Sequence, residues 1–100
     1  MTYKLRFHAL AWQAWGRLDG SIKAPLKKKL LERLEEPRIP SAALSGMPDC
    51  YKIKLRQAGY RLVYRVDDEV VFVTVIAVVK RDKSAVYAAA GARFNDDGSA

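Results

Sequence analysis

Apolar and polar residues alternate twice between Asp49 and Val66, once on each side of Ala58-Gly59. On the first limb Tyr51, Ile53 and Leu55 are apolar while Lys52, Lys54 and Arg56 are cationic. On the second, Tyr60, Leu62, Tyr64 and Val66 are apolar and are interrupted by Arg61, Val63 and Arg65. A period of two predicts two half-buried strands, and the glycine between them predicts a hairpin. With Ala58-Gly59 as a two-residue loop, Arg56 faces Arg61, Leu55 faces Leu62, Lys54 faces Val63 and Ile53 faces Tyr64. The apolar side chains then share one face and the cations the other. A slip of one residue mixes the faces, so burial rejects it.

The remaining pattern supplies the elements around this hairpin. Tyr3-Lys4-Leu5-Arg6-Phe7 alternates as a short first strand. From Ala9 to Leu18 the apolar residues Ala11, Trp12, Ala14, Trp15 and Leu18 follow helical spacing, and Asp19-Gly20-Ser21 ends that helix and caps the next. The second helix carries Ile22, Leu26, Leu30 and Leu34 on one stripe, as a helix laid on a sheet does. Pro25 suits a first turn better than a helix interior, which predicts a regular helix from about Ala24 to the stop at Glu36-Pro37. Arg38 to Pro48 reads as a loop.

Asp67-Asp68-Glu69 reads as a turn, and Val70 to Val79 is a continuous, mostly β-branched apolar run, the mark of an inner strand covered on both faces. If Val66 faces Val70, the odd positions of that strand share the face of Arg61, and Arg81 overhangs the cationic side. Asp82 or Ser84 caps a last helix from Ala85 to about Phe94. The expectation is an α+β fold of order β-α-α-β-β-β-α: a small antiparallel sheet, two N-terminal helices packed on one face, and a short C-terminal helix. Residues 1–94 form a single domain, and 95–100 a disordered tail.

Charge sharpens this picture. The formal net charge is +7, which points to a polyanionic partner, nucleic acid first and an acidic protein second. Lys52, Lys54, Arg56, Arg61 and Arg65 crowd one sheet face without a carboxylate among them. Most charged strand faces are merely solvated, but those mix signs, because like charges opposite one another destabilise a sheet. Cys50 and His8 are each the only residue of their type, so no disulfide framework and no metal-ligand spacing exists. No apolar run approaches membrane-spanning length and the N-terminus lacks a secretory core, which points to a cytoplasmic protein with no membrane partner.

A cationic face without a histidine cluster or a metal suits RNA backbone cleavage, since the ribose 2′-hydroxyl is an internal nucleophile. Arginine forks bind phosphate oxygens, and a lysine acts as general base if neighbouring cations drive its pKa toward neutrality. Lys52 and Lys54, flanked by Arg56, Arg61 and Arg65, have that neighbourhood. Tyr87 either stacks on a base or packs on the sheet edge. Arg81 is either part of the chemistry or a surface contact to phosphate. The run Lys27-Lys28-Lys29 is most simply a solvated helix face, with an RNA-facing role as the lesser alternative.

The segment Met47-Pro48-Asp49-Cys50-Tyr51-Lys52-Ile53-Lys54-Leu55-Arg56, followed by Ala58-Gly59-Tyr60-Arg61-Leu62-Val63-Tyr64, resembles the RelE toxins of the RelE/ParE superfamily. The similarity continues through Val75 to Arg81 and Val86-Tyr87, and upstream through Leu26 to Leu30 and Glu36-Pro37-Arg38-Ile39. The resemblance implies the toxin of a type II toxin–antitoxin system, a ribosome-dependent endoribonuclease that cuts mRNA in the ribosomal A site without a cofactor. It implies a RelB-like antitoxin, through which the complex would bind operator DNA. Transferred position by position, Lys52 and Lys54 would be base and phosphate ligands, Arg61 would stabilise the transition state, Arg81 would protonate the leaving group, and Tyr87 would stack on the mRNA. Arg56, Arg65, Lys80, Lys83, Lys27 and Lys28 complete the expected contacts to mRNA and ribosomal RNA. The departures from the family pattern are Ser45, where an arginine is common, Val79, where a glycine is common, Pro25, and the alanine-rich last helix containing Gly91. The rival readings are a ParE-like gyrase-binding toxin without nuclease activity and a basic module that only binds nucleic acid.

Overall fold

In a computed structural model, residues 2–56 and 58–80 are described. Strand β1 (Lys4–Phe7) leads into α1 (Ala9–Gly16) and α2 (Gly20–Glu35); a single 3-10 turn (Pro40–Ala42) precedes β2 (Cys50–Leu55), β3 (Tyr60–Asp67) and β4 (Phe72–Lys80). The expected C-terminal helix and the tail lie outside the described residues. The four strands form one sheet in the order β1-β4-β3-β2. β2, β3 and β4 are an antiparallel meander, whereas β1 pairs with β4 in parallel, so the sheet is mixed. Alternation in β1 identifies a strand but not its direction, which depends on where two intervening helices return the chain.

Helix α1 begins at His8, whose buried side chain accepts the Leu10 backbone N–H at Nδ1, 3.1 Å away. That nitrogen therefore serves as the N-cap acceptor of α1. Asp19 caps α2 in the same way through the Ser21 N–H. The regular helix starts at Gly20 rather than near Ala24, and Pro25 lies inside it. Burial of Leu26, Leu30 and Leu34 against the sheet outweighs the hydrogen bond that proline forfeits; each such side chain contributes roughly 1.5–3 kcal/mol.

Both helices cover one sheet face, where Phe7, Tyr51, Ile53, Leu62, Tyr64, Val73 and Val75 belong to the main core. Phe7 packs between Trp12 and Trp15, with ring centroids 5.1 and 5.3 Å away, and Tyr51 stacks on Tyr64 across β2 and β3. The opposite face carries a smaller apolar cluster of Cys50, Val63, Ile76 and Ala77, with Leu44 and Met47 from the loop before β2 packed against it.

The last strand starts later than the apolar run suggests. Val70 and Val71 belong to the turn, and Val71 takes a positive φ of 59°, a strained conformation for a β-branched residue. Its carbonyl accepts the Lys4 N–H at 2.8 Å, which ties the turn to β1. Val66 faces Val73 rather than Val70. A bulge follows: Val63 pairs with Ala77 and Tyr64 with Val75, leaving Ile76 as the extra residue. Beyond the bulge the odd positions Ala77 and Val79 share the face of Arg61, as the sequence suggests; before it, Val73 and Val75 face the helices.

Candidate active site

The hairpin sorts its side chains as the alternation predicts, but in a register two residues away from the expected one. Lys54 faces Arg61, Lys52 faces Val63, Ile53 faces Leu62 and Leu55 faces Tyr60. The loop spans residues 56–59 instead of two, closed by the Gly59 N–H to the Arg56 carbonyl at 3.2 Å. Gly59 sits at φ 70°, the left-handed conformation that a glycine adopts without steric penalty. A shift of two residues preserves the faces, so the cationic side forms in either register. What changes is the contact: Lys54, not Arg56, stands opposite Arg61.

The ladder also fixes how close that pair comes. Val66 donates its N–H to the Asp49 carbonyl at 2.9 Å. Alternation along the ladder then turns the backbone of Tyr51, Ile53 and Leu55 toward β3, and that of Cys50, Lys52 and Lys54 toward the open edge. The Leu44 N–H bonded to the Cys50 carbonyl at 3.0 Å agrees with this phase. Lys54–Arg61 is thus a non-hydrogen-bonded pair, the kind in which Cα atoms approach to about 4.5 Å and side chains are nearest.

Beside the pair is an open cleft of ≈ 480 Å³ lined by Lys54, Leu55, Arg56, Gly59, Tyr60 and Arg61. The Nη1 atom of Arg61 is buried and has no hydrogen-bond partner among the described residues. A buried donor left in that condition costs about 1–3 kcal/mol, more for a charged group. An anion in the cleft would relieve the repulsion between Lys54 and Arg61.

The other expected contacts divide between the two faces. Arg65 pairs with Cys50 and Thr74, and Lys52 with Val63, so both share the face of Lys54 and Arg61. Arg56 is exposed in the hairpin turn on the cleft rim. Lys80 pairs with Tyr60 and holds its ammonium 5.8 Å from the Tyr60 ring centroid, on the helix side of the sheet. Lys27 and Lys28 are exposed on α2, in the helical layer. The structure therefore does not bring Lys80, Lys27 or Lys28 to the cleft. Arg81, Lys83 and Tyr87 lie outside the described residues.

Three arginines that sequence patterning passes over are also organised around this sheet. Arg6 shares a row with Thr74 and Arg65, donates to the Thr74 hydroxyl at 3.1 Å, and stacks 4.3 Å from the Phe72 ring centroid. Its alternation with Leu5 and Phe7 was a usable signal, but the parallel pairing that carries it onto the cationic face was not. Arg38 bridges Asp49 at 2.9 Å and Asp68 at 2.6 Å and reaches the Tyr51 hydroxyl at 3.2 Å. Arg33 donates to the Tyr64 hydroxyl and to the Lys52 carbonyl. Among the described residues no three His, Cys, Asp or Glu side chains gather as a metal cage, and no helix is long and apolar enough to cross a membrane.

The chain matches the model of a family described as the ParE toxin of type II toxin–antitoxin systems, over residues 5–85. The mRNA interferase toxin RelE of Escherichia coli (strain K12) is 55% identical over 94 residues, spanning 94% of this chain and 99% of that protein. A double mutant of Escherichia coli toxin RelE in the free state superposes with a TM-score of 0.86 at 54% identity, covering 93% of this chain and 98% of that one. RelE in the intact Escherichia coli RelBE toxin–antitoxin complex gives a TM-score of 0.78 at 54% identity, covering 81% of this chain and 99% of that one.

Proposed function

The chain belongs to the ParE toxin family of type II toxin–antitoxin systems, and from that premise we propose that it is a RelE-type mRNA interferase. It cleaves messenger RNA on the ribosome and is silenced by a RelB-like antitoxin. The observation that carries the chemistry is the Lys54–Arg61 pair beside an open cleft, with an Arg61 nitrogen that is buried and has no partner among the described residues. The identity to RelE along nearly the whole chain supports the same reading.

The RNA phosphate sits across Lys54 and Arg61, and the Arg61 guanidinium shares charge with its non-bridging oxygens. A lysine of β2, Lys52 or Lys54, takes the proton of the 2′-hydroxyl. The 2′-oxygen attacks phosphorus, the bond to the 5′-oxygen breaks, and that oxygen accepts a proton as it leaves. The products are a 2′,3′-cyclic phosphate and a 5′-hydroxyl end. On the resemblance to RelE, Arg81 supplies the last proton and Tyr87 stacks on the mRNA. Charge builds on the phosphorane oxygens in the transition state, which is where a preorganised guanidinium contributes most.

A second reading draws on the description of the matching family, which names ParE: a toxin of the same fold that binds gyrase and cuts no RNA. One experiment separates the two. Mapping mRNA 5′ ends in a translating extract, with and without the protein, should reveal new ends on ribosome-loaded message, while the same RNA free in solution stays nearly intact. An extract without new ends would end the nuclease reading. Equal cleavage of free RNA would end its dependence on the ribosome.

A further inference from the structure

We infer that Arg33 is a positioning residue, which holds the β2 segment bearing Lys52 and Lys54 in place by gripping the Lys52 carbonyl. The inference rests on the proposed nuclease reading for its catalytic consequence but not for its geometry. β2 is an edge strand, so only one side of its backbone is fastened by a ladder. The phase of that ladder turns the carbonyls of Cys50 and Lys52 outward. Both are nevertheless engaged: Cys50 by the Leu44 N–H at 3.0 Å, and Lys52 by Nη1 of Arg33 at 3.2 Å.

Arg33 is itself firmly held. It lies in the last turn of α2, where a cation is favoured by the helix dipole. The same Nη1 donates to the hydroxyl of Tyr64 at 2.8 Å. Tyr64 is fully buried and its hydroxyl donates onward to the Pro37 carbonyl at 2.7 Å. The guanidinium carbon also lies 5.7 Å from the Tyr64 ring centroid. One side chain thus connects the end of α2, the core and the outer edge of the strand that carries the lysines. Lys54 is two residues along β2 from the gripped carbonyl and on the same face as Lys52. Slack at that carbonyl moves the lysine relative to Arg61, which is anchored on an interior strand.

The test compares Arg33→Met with Tyr64→Phe in the full chain. Tyr64→Phe removes the hydroxyl arm but leaves Arg33 free to grip Lys52, and so controls for general loosening of the core. Single-turnover cleavage of mRNA on programmed ribosomes is measured at a temperature where both variants are folded, together with ribosome affinity. Expected is a roughly tenfold lower saturating rate for Arg33→Met, because small misplacements of a reacting group are expensive, with affinity within about twofold of the parent and Tyr64→Phe cleaving at the parent rate. If Arg33→Met cuts at the parent rate, loses only affinity, or is matched by Tyr64→Phe, the inference is overturned. If Arg33→Met does not fold, Arg33→Lys replaces it, with a loss of about threefold or more expected because an ammonium lacks the fork. If the parent protein itself does not cleave, the nuclease reading has failed instead. Amide exchange then decides the inference alone: faster exchange at Ile53 and Leu55 in the Arg33 variant but not in Tyr64→Phe supports it, and equal exchange in the two overturns it.

Discussion

Lys54 and Arg61 face each other across the β2–β3 ladder, two like charges in the pairing position where side chains come closest. Their neighbours on the other face, Ile53 with Leu62 and Leu55 with Tyr60, hold them there, because moving the strands by one residue would expose that apolar set. Folding therefore works against the local electrostatics at this point. Such a conflict between local and global preference is expected where a surface is shaped for a ligand.

The first prediction follows from that conflict. Arg61→Gln should leave the domain as stable as the parent or more stable by about 0.2–1 kcal/mol, the size of a cross-strand pair term. It should also reduce ribosome-dependent cleavage by about a hundredfold to a thousandfold, as loss of a transition-state donor does. Thermal melting at low and high salt checks the first half. Added salt should stabilise the parent more than the variant, since screening relieves a repulsion that only the parent has. A variant clearly less stable than the parent at low salt would show that Arg61 serves the fold.

A second prediction concerns acid. The Asp68 carboxyl is held below its ordinary range by hydrogen bonds from the Arg38 guanidinium and then from the Tyr3 hydroxyl. A depressed carboxylate contributes stability above its unfolded pKa, near 3.9. That contribution is lost as pH falls through the lower folded value. Asp68→Asn should flatten the dependence of stability on pH below about pH 4, with little change in slope near neutrality. Urea unfolding between about pH 2 and 7 reads both slopes. Identical acid limbs for the two proteins would mean that the bridge among Arg38, Asp68 and Tyr3 does not persist in solution.

The sorting of Lys54, Arg61 and Arg65 onto one face was legible in the chain because a period of two survives any shift by an even number of residues. The register was not, since burial is blind to a slip of two and a four-residue turn at 56–59 serves as well as a two-residue one. The bulge at Ile76 was equally silent: within an unbroken apolar run nothing distinguishes the residue at which the register shifts. The leucine stripe of α2 placed the helix correctly but could not say that Lys27 and Lys28 would stand in the layer away from the cleft. Arg33 and Arg38 act over separations of 11 to 31 residues, and no local pattern encodes a partner so distant.

The third prediction uses Cys50 as a reporter of the face beneath the cations. Its side chain is buried beside Val63, Ile76 and Ala77. Burial pushes the thiol up to about 11, against the lowering effect of the nearby Arg65 and with a small addition from Asp49. The native thiol should therefore resist alkylation at about pH 8, where an exposed cysteine reacts readily, and urea should release it. The alkaline sign follows from the same shift. A thiol raised in the folded state stabilises fully below its unfolded pKa, near 8.5, and loses that contribution as pH climbs toward the folded value. Cys50→Ala should accordingly lose less stability than the parent across that alkaline window, even as tyrosines and lysines titrate in both proteins. Rapid native-state labelling, at the rate of the unfolded chain, would mean that the Cys50–Val63–Ala77 face opens to solvent and that the surface carrying Lys52, Lys54 and Arg61 lacks a rigid floor.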